Sequence, residues 1–166
     1  MTLRSWLTVP ILVLGCALAA CTPGGLPRVG GPAPAIDLPG LDGTTFSLSS
    51  LAGKVVVVDF WATWCGPCHI QADILERGVI PTWKPRGVEF VGINVGESAE
   101  VVRRWLSENP ASYPTLLDEA ESVFANLGSG ALPTMLIVDA EGNIAHLGAG
   151  VTDKDELGDI LARLTR

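Results

Sequence analysis

One stretch, residues 55–69 (VVVVDFWATWCGPCH), constrains the fold more than any other. Four valines run into Asp59, Phe60 and Trp61. β-branched residues followed by aromatics predict a strand covered on both faces, as in the centre of a parallel or mixed sheet. Ala62, Thr63 and Trp64 then turn the chain into Cys65-Gly66-Pro67-Cys68. Pro67 has a fixed φ and no N–H, which suits the first turn of a helix. The stretch reads strand, turn, helix, with Cys65 at the helix N-terminus. Free N–H groups at that end stabilise a thiolate, the reactive form of cysteine. Cys65 is therefore the expected nucleophile. Cys68, one turn further in and less exposed, would attack a mixed disulfide on Cys65 and close an internal bridge.

The remaining pattern alternates strands with helices. Residues 36–38 and 45–47 flank PGLDG, and Asp42-Gly43 is a strong turn signal, so an N-terminal hairpin is expected. Residues 49–53 predict a short helical turn ended by glycine. The active-site helix is expected from Pro67 to about Val79, and residues 80–87, with Pro81 and Pro85, as a loop. Residues 88–95 (VEFVGINV) predict a second buried strand. Ser98 is a candidate cap for a helix over 99–108. A short strand at 116–117, a helix over 119–127, a hairpin from 134–139 and 143–147, and an amphipathic helix over 153–166 follow. This order suits a mixed central sheet flanked by helices in one α/β domain.

The first residues stand apart. Arg4 gives a short positive start, residues 6–18 are apolar except Thr8, and Leu18-Ala19-Ala20 leads into Cys21. This is a secretory signal pattern. It also resembles a bacterial lipoprotein box, which implies cleavage after residue 20 and acylation of Cys21. The 166-residue chain has a formal net charge of −7. Loss of Arg4 with residues 1–20 makes it −8, so attachment to an anionic bilayer would rest on lipid rather than charge. The acidic balance lacks a basic stripe, so nucleic acid is not an expected partner. Residues 21–34, rich in Gly and Pro, read as a mobile tether, and residues 35–166 as the domain. Of the four cysteines, only Cys65 and Cys68 then remain for redox chemistry.

VVVDFWATWCGPC resembles the active-site segment of the thioredoxin superfamily. The wider chain, about residues 30–166, resembles its membrane-anchored TlpA/ResA-like branch. The stretches GPAPA (31–35), LSSLAGK (48–54), NVGES (94–98), YPTLLD (113–118) and LPTMLIVDAEG (132–142) carry that likeness in the family's order. The resemblance implies a thioredoxin fold with the N-terminal hairpin as an extension, and a thiol-disulfide oxidoreductase that needs no cofactor and no metal. It implies client proteins with thiols or disulfides, a membrane electron transporter as redox partner, and a monomer. Asp59 would lie beneath Cys68 and accept its proton, with burial raising its pKa. Pro133 matches the superfamily's cis-proline, whose bend would expose the Leu132 backbone to pair with substrate. Trp64, Gly66 and Pro67 would rim the nucleophile. Trp64 either forms a docking surface or packs under the loop.

Three features leave alternatives open. His69 completes CxxCH, the c-type haem attachment pattern, with Met135 as the methionine available for axial ligation in the mature chain. The opening GPAPA also occurs in thiol peroxidases, but their Pro-x-x-x-Thr-x-x-Cys site is not matched here. His146 has no partner in sequence. ResA-like members commonly have Asn at the Asp59 position and Glu at the Gln71 position, and often a following proline absent here. Gln71 cannot titrate, and Asp73 faces elsewhere on the helix. That departure weakens a dedicated cytochrome c maturation role and favours a broader substrate range, with the proton-handling acid on the strand. The Gly-Pro dipeptide matches thioredoxin, a reductant near −270 mV, whereas an oxidising compartment favours disulfides. The direction of electron flow stays open at this level.

Overall fold

The computed structural model describes residues 25–166. The expectations placed on residues 1–20 and on Cys21 lie outside the described residues. A five-stranded mixed sheet has the order β5-β4-β3-β6-β7. The strands are β3 (Val56–Trp61), β4 (Glu89–Val95), β5 (Thr115–Asp118), β6 (Thr134–Val138) and β7 (Ile144–Ala149). β3, β4 and β5 run parallel, while β6 is antiparallel to β3 and β7 to β6. The valine run is the centre of this sheet, and every residue of β3 is buried. Alternate side chains feed two cores. Val55, Val57 and Met135 pack with Leu75, Val79, Leu157 and Leu161 on one face. Val56, Val58, Phe60, Ile93 and Leu136 pack with Ile36, Leu38 and Leu127 on the other.

The N-terminal hairpin, β1 (Asp37–Pro39) with β2 (Thr45–Ser47), forms as expected, and Gly43 takes φ 82° in its turn. Leu41 N–H donates to Thr115 O (3.3 Å), and Gly40 bridges to Leu116. Residues 30–33 differ from the tether reading. Gly30 N–H donates to Ile144 O (2.8 Å), Ile144 N–H to Gly31 O (2.8 Å), and Ala33 N–H to Gly142 O (2.9 Å). Backbone groups on a sheet edge otherwise lack partners, and these contacts supply some of them. The ordered body therefore begins before residue 35.

The active-site helix α1 (Gly66–Ile74) starts where expected but does not end at a loop. A π turn (Leu75–Val79) leads into α2 (Ile80–Trp83) and a 3₁₀ turn (Lys84–Arg86) closed by Gly87 at φ 89°. Pro81 and Pro85 each fall in the first two positions of their helical turn, where a missing N–H costs no bond. They therefore permit helix where the sequence reading placed a loop. Ser98 occupies the cap position of α3 (Ala99–Glu108) but makes no side-chain cap bond, and Ala99 N–H donates to Glu119 Oε1 instead (3.2 Å). α4 is shorter than expected, Ser122–Leu127. The reason is Asp118, a buried carboxylate that accepts from Ser122 N–H (2.9 Å) and Phe124 N–H (2.8 Å). Its demand for those donors sets the helix start after the turn at 119–121. The last helix is α5 (Lys154–Leu164), capped by Asp153.

Because α4 leads directly into the segment before β6, its anchor matters to the site. Asp118→Ala is expected to lower stability by about 2 kcal/mol, through a lost cap and buried donors left unpaired. Urea denaturation of the oxidised protein measures it, and a change below about 0.5 kcal/mol would refute the capping role.

Candidate active site

β3 ends at Trp61, and residues 62–64 carry the chain to Cys65, which caps α1 in extended conformation (φ −88°, ψ 97°). Cys65 Sγ accepts from the Cys68 N–H at 3.2 Å, so the sulfur sits where a helix N-terminus favours negative charge. Cys65 and Cys68, with Cα atoms 5.3 Å apart, are joined in a disulfide. Both are buried in this oxidised state, in a cluster with Trp61, Val102 and Leu117.

The loop before Cys65 is held by residues the sequence reading did not assign. Glu97, just past β4, accepts from Thr63 N–H (2.7 Å) and Thr63 Oγ1 (2.5 Å), and from Asn94 Nδ2 (2.8 Å). His69 Nε2 lies 2.9 Å from Thr63 O, which makes that nitrogen the donor. Its ring stacks at 5.2 Å on Trp105, which in turn lies 4.9 Å from Trp61. His69 is therefore a loop clamp, and Met135 is a core residue opposite Asp59 on β6. Glu97 had only its place in NVGES as a sequence signal, since its partner is 34 residues away.

Asp59 is 2% exposed, and its Oδ1 has no hydrogen-bond partner among the described residues. Burial raises its pKa to about 7. It lines one cavity together with Cys68, Glu76 and Tyr113, with a volume of about 390 Å³. The carboxyl and the inner cysteine thus line one compartment.

The Leu132-Pro133 peptide bond is cis. Leu132 packs against the Cys65–Cys68 cluster, and Pro133 O accepts from Gly150 N–H (2.8 Å). Trp64 is 72% exposed, and Gly66 and Pro67 are exposed beside it. That resolves its alternative in favour of a surface side chain. Ile70 (58% exposed) extends the apolar rim and was not singled out from sequence. Gln71 is fully buried, and its Oε1 accepts from Thr152 N–H (2.7 Å). It ties α1 to the segment before α5. His146 sits on β7, half-buried, and burial lowers its pKa. Among the described residues no three His, Cys, Asp or Glu side chains group as a metal site. No described helix is long and apolar enough to cross a membrane.

Comparison with known proteins agrees with this geometry. The Redoxin family model matches residues 28–163. The chain belongs to the Redoxin family. It is 28% identical to thiol-disulfide oxidoreductase ResA of Bacillus anthracis, over 83% of this chain and 79% of that protein. Identity to ResA of Geobacillus kaustophilus is 31%, over 78% and 74% respectively. Among solved structures, a Chlorobium tepidum protein named as thiol:disulfide interchange protein DsbE superposes with TM-score 0.77 at 26% identity, covering 84% of this chain and 99% of that one. A secreted disulfide oxidoreductase of Mycobacterium tuberculosis gives TM-score 0.65 at 26% identity, covering 78% and 96%. Fold, paired cysteines and relatives together make this Redoxin member a TlpA/ResA-like thiol-disulfide oxidoreductase of thioredoxin fold.

Two outcomes are expected. An acid whose folded pKa is raised favours the folded state below its unfolded pKa, and that advantage is lost as pH rises to about 7. Asp59→Asn should therefore stabilise the oxidised protein above pH 7, by up to about 4 kcal/mol, with the gain fading toward pH 4. Urea titrations at the two pH values measure it, and a pH-independent difference would contradict the assignment. Glu97→Ala should free Thr63 and cut the rate of disulfide exchange several-fold, while Glu97→Gln retains part of the clamp. Equal rates in all three proteins would show that the loop needs no such anchor.

Proposed function

We propose that this Redoxin member reduces disulfides of client proteins outside the cytosol, held to a membrane by lipid on Cys21. The observation that carries the chemistry is the Cys65–Cys68 disulfide at a helix N-terminus, with the buried Asp59 carboxyl in the cavity that Cys68 lines. In the reduced protein the Cys65 thiolate attacks one sulfur of a client disulfide. That S–S bond breaks, one client sulfur leaves as thiolate, and a mixed disulfide remains. Cys68 then gives its proton to Asp59 and attacks Cys65 Sγ. The client's second sulfur leaves with the electron pair, and the internal disulfide forms. The client gains two electrons, and the enzyme loses two. A membrane electron transporter with a dithiol is the proposed donor that restores the thiols.

The exposed rim of Trp64, Gly66 and Pro67 supports a docking role for client chain, and the Leu132 backbone beside cis-Pro133 supports pairing with it. Extracytoplasmic placement is supported by the signal pattern of residues 1–20 and by the secreted relative. The ResA-like resemblance favours a second reading, reduction of an apocytochrome c disulfide to its two thiols during cytochrome c maturation. Against a dedicated role, Gln71 stands where such members commonly carry Glu, and its side-chain oxygen is committed to Thr152.

The reduction potential of Cys65–Cys68 against a glutathione buffer tests the direction. A value below about −200 mV supports a reductant, and one above about −150 mV would make it an oxidant. Asp59→Asn should slow resolution of the mixed disulfide by about tenfold or more near neutral pH. In the parent protein the rate should rise as Asp59 ionises through about pH 7, an inflection absent from the variant. An unchanged profile would remove Asp59 from the mechanism.

A further inference from the structure

A proton handed to Asp59 must leave again before the next cycle. In-register pairing sets Thr115, Gly92, Asp59 and Met135 side by side across four strands. Gly92 therefore places no side chain next to the carboxyl. A Cβ there would meet Tyr113 Cε2 at 3.0 Å and Trp61 Nε1 at 3.1 Å. The space left by that glycine is shared between the Tyr113 ring and the cavity. Cys68, Ala72 and Glu76, at helical spacing, form the facing wall. Thr115 Oγ1, like Asp59 Oδ1, is buried with no partner among the described residues. A polar cavity of this size with orphaned polar atoms is suited to hold water, which needs two to four such partners.

We infer that Glu76 is a positioning residue for proton traffic, forming the solvent-side end of a polar passage between Asp59 and bulk water. This rests on Asp59 as the proton acceptor of Cys68. Glu76 is half-buried on the same cavity, and its Oε1 is fixed by Ser112 N–H at 2.6 Å. Tyr113 lies within the field of both carboxylates, and each raises its hydroxyl pKa on top of burial. The other titratable groups lining the cavity are His69, Asp73 and Arg77. His69 is bonded to Thr63, and Arg77 pairs with Asp73 at 2.6 Å on the exposed outer surface. Among the described residues no cation is paired with Asp59, so no fixed positive charge there releases its proton, which needs a path outward. During the resolving step the proton passes from Cys68 Sγ to Asp59, and between cycles it passes through the cavity to Glu76 and solvent. Reduction of the disulfide returns one to Cys68 by the reverse route.

The test is steady-state reduction of a model peptide disulfide, with a small dithiol restoring Cys65 and Cys68 between cycles, followed across a pH series in dilute buffer. The purified parent chain, Glu76→Gln and Asp59→Asn are compared. Gln keeps an acceptor for Ser112 N–H, so the local fold is retained. Glu76→Gln should slow turnover several-fold while leaving the Asp59 inflection and the reduction potential unchanged, and added imidazole, a small proton carrier, should restore the rate. Slowing that imidazole does not relieve would assign Glu76 a merely structural role and overturn the inference. An unchanged rate in Glu76→Gln with a slowed Asp59→Asn would overturn the relay alone. An unchanged rate in both would overturn the Asp59 reading with it.

Discussion

A carboxyl withdrawn from water in the middle of the central strand governs the surroundings of the redox pair. Ionising Asp59 inside the sheet is costly because, among the described residues, no cation and no donor compensates its Oδ1. The cost moves its titration toward neutrality, where a proton can be taken and given back at similar ease. Neighbouring strands conform to that requirement. Gly92 on β4 leaves room beside it, Met135 on β6 seals the other side, and Tyr113 walls the opening.

The second constraint is the loop that delivers Cys65. A thiolate at a helix N-terminus is favoured only while the helix end is held in place. Here Glu97 binds Thr63 from the strand side and His69 binds it from within α1. The loop is thus clamped from two elements, and Trp64 is left outward beside Cys65. Gln71 and Asp118 do comparable work behind the site. One joins α1 to the segment before α5, and the other fixes the start of α4, which precedes cis-Pro133.

Much of the architecture could be read from residue order. The valine run, the Cys-Gly-Pro-Cys turn and the Asp42-Gly43 hairpin are local signals whose geometry follows from φ preferences and burial pattern. The reading faltered where local preference and context diverge. Pro81 and Pro85 suggested a loop, but a proline in a first helical turn loses nothing. Residues 30–33 looked like free linker, but backbone groups on the β7 side captured them, a contact that glycine and proline content does not reveal.

By itself the sequence determined the chemistry: two cysteines one helical turn apart, a proline that starts the helix, an acid in the strand, and a proline before β6. Those depend on short-range spacing, which covalent geometry and hydrogen bonding translate directly into shape. Tertiary structure alone decided which distant groups meet. Glu97 reaches Thr63 across 34 residues, and Asp59, Tyr113 and Glu76 share one cavity because parallel strands and a helix bring them together. Such meetings depend on strand register and on helix packing over the sheet, which no single stretch of the chain encodes.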